Sequence, residues 1–385
     1  MAMSALPIRE GHSATPLMSL DPLLAAARAA GASDLHVSAG KAALVRLGGE
    51  LVALDGFVAP LPGDWLAAAL TRLMRTAQQA EFEVEGETDL SYSLPYFGRF
   101  RVNVFRQLDG IAAAFRLVPA EIPSLASLGV PEVASRLAMR SQGLVLVTGP
   151  AGAGKSTTLA AMIDLVNRQR AGHIITVEDP IEFVHQSHSC LVHQREIGRD
   201  ARTFAAALRS ALRQDPDVVM IGELRDPETI SIALTAAETG HLVLSTMHTQ
   251  GAAKSIDRII DSVRASQQAQ VRAQLGETLQ GVISQVLMPG ADGSSRVLAT
   301  EVLVHTHAVA NLIRESQVSQ LLTVMQTSSN LGMHTMEQSL IELVRAGRVS
   351  AESVAGYLAQ PLPGTDAAGG TDASHPSNTE NARSW

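Results

Sequence analysis

The run Gly149-Pro150-Ala151-Gly152-Ala153-Gly154-Lys155-Ser156-Thr157 constrains this chain more than any other stretch. It fits the pattern G-x-x-x-x-G-K-[ST], which works only with a strand before it and a helix after it. Both are expected here. Gly143 to Thr148 reads as a short buried strand, and Thr158 to Val166 reads as an apolar helix. A glycine-rich turn between such elements aims successive backbone N–H groups at phosphate oxygens, and the helix N-terminus adds its dipole. Lys155 then reaches the β/γ-phosphates, and the Ser156 hydroxyl ligates Mg²⁺. By itself the loop specifies a nucleotide with its Mg²⁺ and nothing more.

The 385 residues exceed what one core usually supports, so two folded units with tails are expected. The first 18 residues read as a loose arm. Residues 19–118 read as one domain. Asp21 to Ala30 carries apolar residues at helical spacing, and Leu44–Leu47 with Leu51–Leu54 forms a hairpin across Gly48-Gly49-Glu50. A helix is expected around Trp65 to Phe82, and a second hairpin from Arg99 to Val118. In that hairpin Phe100, Val102 and Val104 share one face, while Arg101 and Arg116 lie on the polar one. Residues 119–133 hold three prolines and read as the linker.

From residue 134 to 360 strands alternate with helices, the pattern of a mostly parallel sheet covered on both faces. The expected strands are Leu144–Thr148, Ile174–Val177, Val218–Ile221, Leu242–Met247 and Arg296–Val304. Arg202 to Arg213 reads as an amphipathic helix, with Arg209 and Arg213 as solvated charges. Residues 361–385 have almost nothing to bury and are expected to be disordered.

Hydrolysis needs more than a phosphate loop: Mg²⁺ held on its far side, and a group to position water. Val218-Val219-Met220-Ile221-Gly222-Glu223 has the form of a Walker B segment, and Glu223 suits the Mg²⁺ shell or its water. Glu178, Asp179 and Glu182 crowd past the end of another strand, where α/β sheets bind ligands. Any of the three is placed to orient or deprotonate water. His241 and His248 bracket a third strand. His248, at its C-terminal end, is the better placed to sense a γ-phosphate.

Composition excludes some alternatives. A single cysteine, Cys190, rules out an internal disulfide and a multi-cysteine zinc site. The formal charge of −8 gives no overall attraction to nucleic acid, so no nucleic-acid partner is expected. No apolar run approaches the roughly 18 residues of a membrane span, and the N-terminus lacks a secretory pattern, so the cytoplasm is the expected compartment.

Taken in order, the motifs resemble a known family. Gly-Ala-Ser-Asp-Leu-His (31–36), Phe-Arg-Val-Asn (100–103), the loop at 149–157, Val-Glu-Asp-Pro-Ile-Glu (177–182), Gly-Glu-Leu-Arg-Asp (222–226), Thr-Gly-His-Leu-Val (239–243) and Met-His-Thr (247–249) closely resemble PilT-like type IV pilus retraction ATPases. These belong to the type II/IV secretion ATPase superfamily. The resemblance spans about residues 19 to 360. It implies a PAS-like N-terminal α+β domain joined to a RecA-like P-loop ATPase domain, working as a homohexameric ring that hydrolyses ATP with Mg²⁺. It singles out Glu182 as general base, Glu223 as the Walker B glutamate, and His241 and His248 as the His box. It also implies that Arg101 and Arg116 reach a neighbouring subunit's nucleotide. The implied partners are an inner-membrane pilus platform protein and the pilus machinery, with membrane association through those partners alone.

The chain departs from the family at three places. Ala310 replaces the first arginine of the signature Ala-Ile-Arg-Asn-Leu-Ile-Arg-Glu (308–315), removing a charge and a multidentate donor. Ala151 and Ala153 replace the usual Thr and Ser, although the loop acts through backbone N–H groups, Lys155 and Ser156. The tail after residue 360 has no counterpart. Pilus retraction is the leading reading. A secretion or assembly motor on the same fold, and a nucleotide-gated accessory ring subunit with weak hydrolysis of its own, are the alternatives. The single cysteine counts against assembly motors, which usually carry a four-cysteine zinc element. A nucleic-acid translocase is disfavoured by the acidic balance and the few aromatics.

Overall fold

A computed structural model describes residues 19–94, 98–118 and 121–357. The expected arm (1–18) and tail (361–385) lie outside the described residues, as do positions 119–120 of the expected linker. The chain forms two compact units. Of the described residues, one unit comprises those within 19–122 with 178–186 and 194–200, and the other comprises 123–177, 187–193 and 201–357.

The first unit is built on a six-stranded antiparallel sheet of order β3-β2-β1-β6-β5-β4. Its strands are β1 (Asp34–Ser38), β2 (Leu44–Leu47), β3 (Glu50–Ala53), β4 (Glu87–Leu94), β5 (Gly98–Gln107) and β6 (Gly110–Leu117). Both expected hairpins are present, and the second turns through Leu108-Asp109. Alternation sends Phe100, Val102, Val104, Ala113 and Phe115 into the core, where they meet Leu23, Leu24 and Ala27 of helix Asp21–Ala29 and Leu66 and Leu70 of helix Gly63–Leu73. The single helix expected around Trp65 to Phe82 is instead two, Gly63–Leu73 and Thr76–Glu85. Met74 and Arg75 adopt extended backbone between them, and the Gln78 side chain accepts the Arg75 N–H to start the second helix. Neither glycine nor proline marks that break in the sequence.

A second sheet comprises β7 (Gly143–Thr148), β8 (Gly172–Glu178), β9 (Cys190–Glu196), β10 (Val218–Ile221), β11 (Leu242–Met247), β12 (Leu279–Pro289) and β13 (Arg296–Val304), all in the second unit except Glu178 and residues 194–196, which are grouped with the first. The sheet order is β13-β12-β7-β11-β10-β8-β9. From β12 to β8 neighbouring strands are parallel, and β13 returns antiparallel to β12. Every residue of β7, β10 and β11 is buried, as expected of strands covered on both faces. Four of the five expected strands recur with their bounds moved by at most one residue, and β8 is longer. The others, β9 and β12, were not expected.

Candidate nucleotide site

Because β7, β10 and β11 run parallel, their C-terminal ends share one edge of the sheet. At that edge β7 enters the glycine loop. Gly149 has φ +143°, and a Cβ there would lie 2.3 Å from the Gln285 carbonyl oxygen of β12, so only glycine fits. Gly152 and Gly154 also have positive φ, and a Cβ on Gly152 would meet nothing within 4 Å. That open cradle is what a phosphate group requires.

The loop delivers the chain into helix Lys155–Gln169, whose N-cap residue Gly154 has no side chain to cap the first turn. No N-cap side chain covers the first turn of this 15-residue helix, and its dipole favours an anion there. Lys155 is buried, and its Nζ donates to the Gly149 and Pro150 carbonyls at 3.0 and 2.9 Å. The ammonium is thus held over the loop it would serve. Ala153 is buried and Ala151 exposed. Ser156 and Thr157 open the helix half-buried. The residues present fit a nucleotide phosphate chain and its Mg²⁺.

The strand order places β11 between β7 and β10. His248, just past β11, therefore lands beside Glu223, just past β10: Nε2 lies 3.3 Å from the Glu223 carboxylate. Arg225 Nη1 approaches the same carboxylate at 3.1 Å. The Thr246 hydroxyl donates to the Gly222 carbonyl at 2.5 Å and the Leu224 N–H donates to the Thr246 carbonyl at 3.0 Å, fixing the Glu223 turn against β11. Arg225 is a contact that motif reading did not assign, although it stands within Gly222–Asp226.

His241 goes elsewhere. It precedes β11, so six strand residues, about 20 Å, separate it from His248. Its Nδ1 lies 3.0 Å from the Ala236 carbonyl at the end of helix Pro227–Glu238. It is the one expected residue of this unit that the fold does not bring to the phosphate edge.

The acidic segment Glu178–Gln186 and the two candidate arginines belong to the first unit. Glu182 is exposed, and its N–H donates to a Glu178 carboxylate oxygen at 3.4 Å. Arg101 and Arg116 are direct partners across β5 and β6, both exposed on the polar face. Arg116 Nε reaches Asp34 at 3.0 Å. Burial works to raise the Asp34 pKa, but hydrogen bonds from Ser33 and Arg116, with the Arg116 charge, hold it below the usual carboxylate value. Like charges directly opposite on a sheet repel. One acid on one side leaves this arginine pair with positive charge to spare.

Parallel strands that place a phosphate loop one strand away from a Walker B acid define a P-loop ATPase of RecA-like α/β architecture. The family described as type II/IV secretion system protein matches residues 11–355, and the chain belongs to that family. It is 48% identical over 336 residues to the type IV pilus retraction ATPase PilT of Pseudomonas aeruginosa, covering 87% of this chain and 97% of that protein. It is 47% identical over 310 residues to a twitching motility protein of Neisseria gonorrhoeae, covering 80% and 82%. Among solved structures, the pilus retraction motor PilT with bound ADP matches with a TM-score of 0.82 and 43% identity, over 90% of this chain and 98% of that one.

Proposed function

We propose that this ATPase is a homohexameric motor that draws pilin out of a type IV pilus, docked in the cytoplasm on an inner-membrane platform protein. The observation that carries the proposal is the Glu223–His248 contact beside an open phosphate loop, in a chain nearly half identical to a retraction motor along its length. Among the described residues no helix is long and apolar enough to cross a membrane.

The roles of the loop, Lys155, Ser156 and Glu223 follow from their chemistry, and those of Glu182, His248, Arg101 and Arg116 rest on the family resemblance. Loop N–H groups and Lys155 bind the ATP phosphates. Ser156 and Glu223, the latter through water, would hold Mg²⁺, which would supply positive charge to the phosphates. Glu182 takes the proton from the attacking water. His248, touching Glu223, reports whether a γ-phosphate is present. Arg101 and Arg116 meet the nucleotide of a neighbouring subunit, where an anion relieves their mutual repulsion.

Ala310 favours a second reading, an accessory ring subunit with weak hydrolysis. It is 3% exposed within helix His307–Arg314, so the family's arginine is missing from a packed position rather than an open surface. A shared site distinguishes a ring enzyme from independent subunits. With Mg²⁺ present, ATP turnover per subunit is expected to climb as concentration drives monomers into rings, followed by light scattering. Equal turnover per subunit in monomer and ring would overturn the shared site.

A further inference from the structure

Glu196 closes β9 with a buried carboxylate, 5% exposed, in the first unit. One of its oxygens accepts the Ile181 N–H at 3.1 Å and pairs with Arg99 Nη2. The other accepts the Ser91 hydroxyl at 2.8 Å. Arg99 is equally buried, at 6%, and sits on the polar face of β5, with Ser91 on the adjoining β4. Two residues earlier, Gln194 donates to a Glu178 carboxylate oxygen at 3.1 Å and to the Phe183 carbonyl at 2.8 Å, and it accepts the His185 N–H at 2.8 Å. The Glu178 side chain in turn accepts the Glu182 N–H. The backbone on either side of Glu182 is thus tied, directly or through Glu178, to the end of β9.

A buried ion pair is a poor source of net stability, because desolvation consumes most of its attraction. What it supplies is a fixed geometry. From this we infer that Glu196 is a positioning residue: with Arg99 and Ser91 it latches the acidic segment to the N-terminal sheet and so sets where the Glu182 carboxylate stands. The inference rests on Glu182 being the general base. The acidic segment, Glu196, Arg99 and Ser91 all belong to the first unit. Arg99, Ser91 and Glu196 then act on the rate through Glu182, and none of them need touch nucleotide.

The test compares kcat, KM for ATP and the affinity for a fluorescent ATP analogue in the full chain. Glu196→Gln keeps the shape and loses the charge. Its kcat is expected to fall about 10- to 100-fold, with analogue affinity and binding stoichiometry within about twofold of wild type. Arg99→Met is expected to behave alike, and Arg99→Lys to recover most of the rate. The double variant Glu182→Gln/Glu196→Gln is expected to turn over no more slowly than Glu182→Gln alone, because one residue acts through the other. Independent, multiplying losses would overturn the latch, as would a wild-type kcat in Glu196→Gln. Equal loss of kcat and of nucleotide-binding sites would assign Glu196 to folding alone and overturn it too. If Glu196→Gln does not fold, Ser91→Ala removes one hydrogen bond and is expected to lower kcat about two- to fivefold at unchanged affinity, an unchanged kcat being the contrary result. Should Glu182→Gln itself retain wild-type turnover, the base assignment fails separately, whatever Glu196 does.

Discussion

Replacing Glu182 with glutamine is expected to lower steady-state ATP turnover about 10³-fold while leaving nucleotide affinity nearly unchanged. Glutamine preserves the shape and exposure of the side chain but cannot take a proton from water. Positioned general bases contribute roughly 10² to 10⁴ in rate, and the loss falls on kcat because the carboxylate is spent on water rather than on ATP binding. Phosphate release and equilibrium binding of a fluorescent analogue separate the two quantities. Turnover within threefold of wild type would move the base to another residue, Glu178 and Asp179 being the adjacent acids.

Lys155→Ala is expected to fail at an earlier step. Each hydrogen bond to a charged group contributes about 1.5–3 kcal/mol, so losing two on the β/γ-phosphates weakens nucleotide binding by about 10² to 10⁴. The same ammonium now donates to the Gly149 and Pro150 carbonyls, so the loop also loses the contact that holds it in place. The two variants should therefore differ in kind. Glu182→Gln binds without turning over, and Lys155→Ala does neither. Near-normal affinity in Lys155→Ala would mean that the loop N–H groups carry the phosphates alone.

Much of the hydrolytic edge was legible in the residues themselves. The loop at 149–157 announced its strand and helix, and β10 and β11 were short apolar runs with polar ends, so their bounds came out as observed. Strand direction also placed His248 at the ligand edge and His241 at the opposite one. The lateral order of the strands was not legible. Nothing in a single sequence says that β11 lies between β7 and β10, and that order alone makes His248 meet Glu223.

The missed elements have physical reasons. Helix Ala265–Thr278 passes into β12 at Leu279 with no glycine or proline between them, and β12 is buried on both faces, so it lacks a two-residue alternation. Its Gln285 is buried, donating to Thr158 at 3.0 Å, where a polar residue reads as a break in a strand. In β9, half-exposed polar residues hide the pattern altogether. With β9 unseen, Glu196 had no reason to stand out, and its pairing with Arg99, 97 positions away, is purely tertiary. Arg101 and Arg116 fared better because hairpin alternation put them on one face, and the register then set them directly opposite.

The central claim concerns work done on a pilus, and it is tested most directly by deleting the gene in the organism that carries it. Surface pili and twitching are then scored with wild type or Glu182→Gln restored. A retraction motor predicts that pili persist while twitching stops, and that only the wild type brings movement back. Cells without surface pili would contradict retraction and point to assembly, and twitching restored by Glu182→Gln would contradict a motor driven by this site.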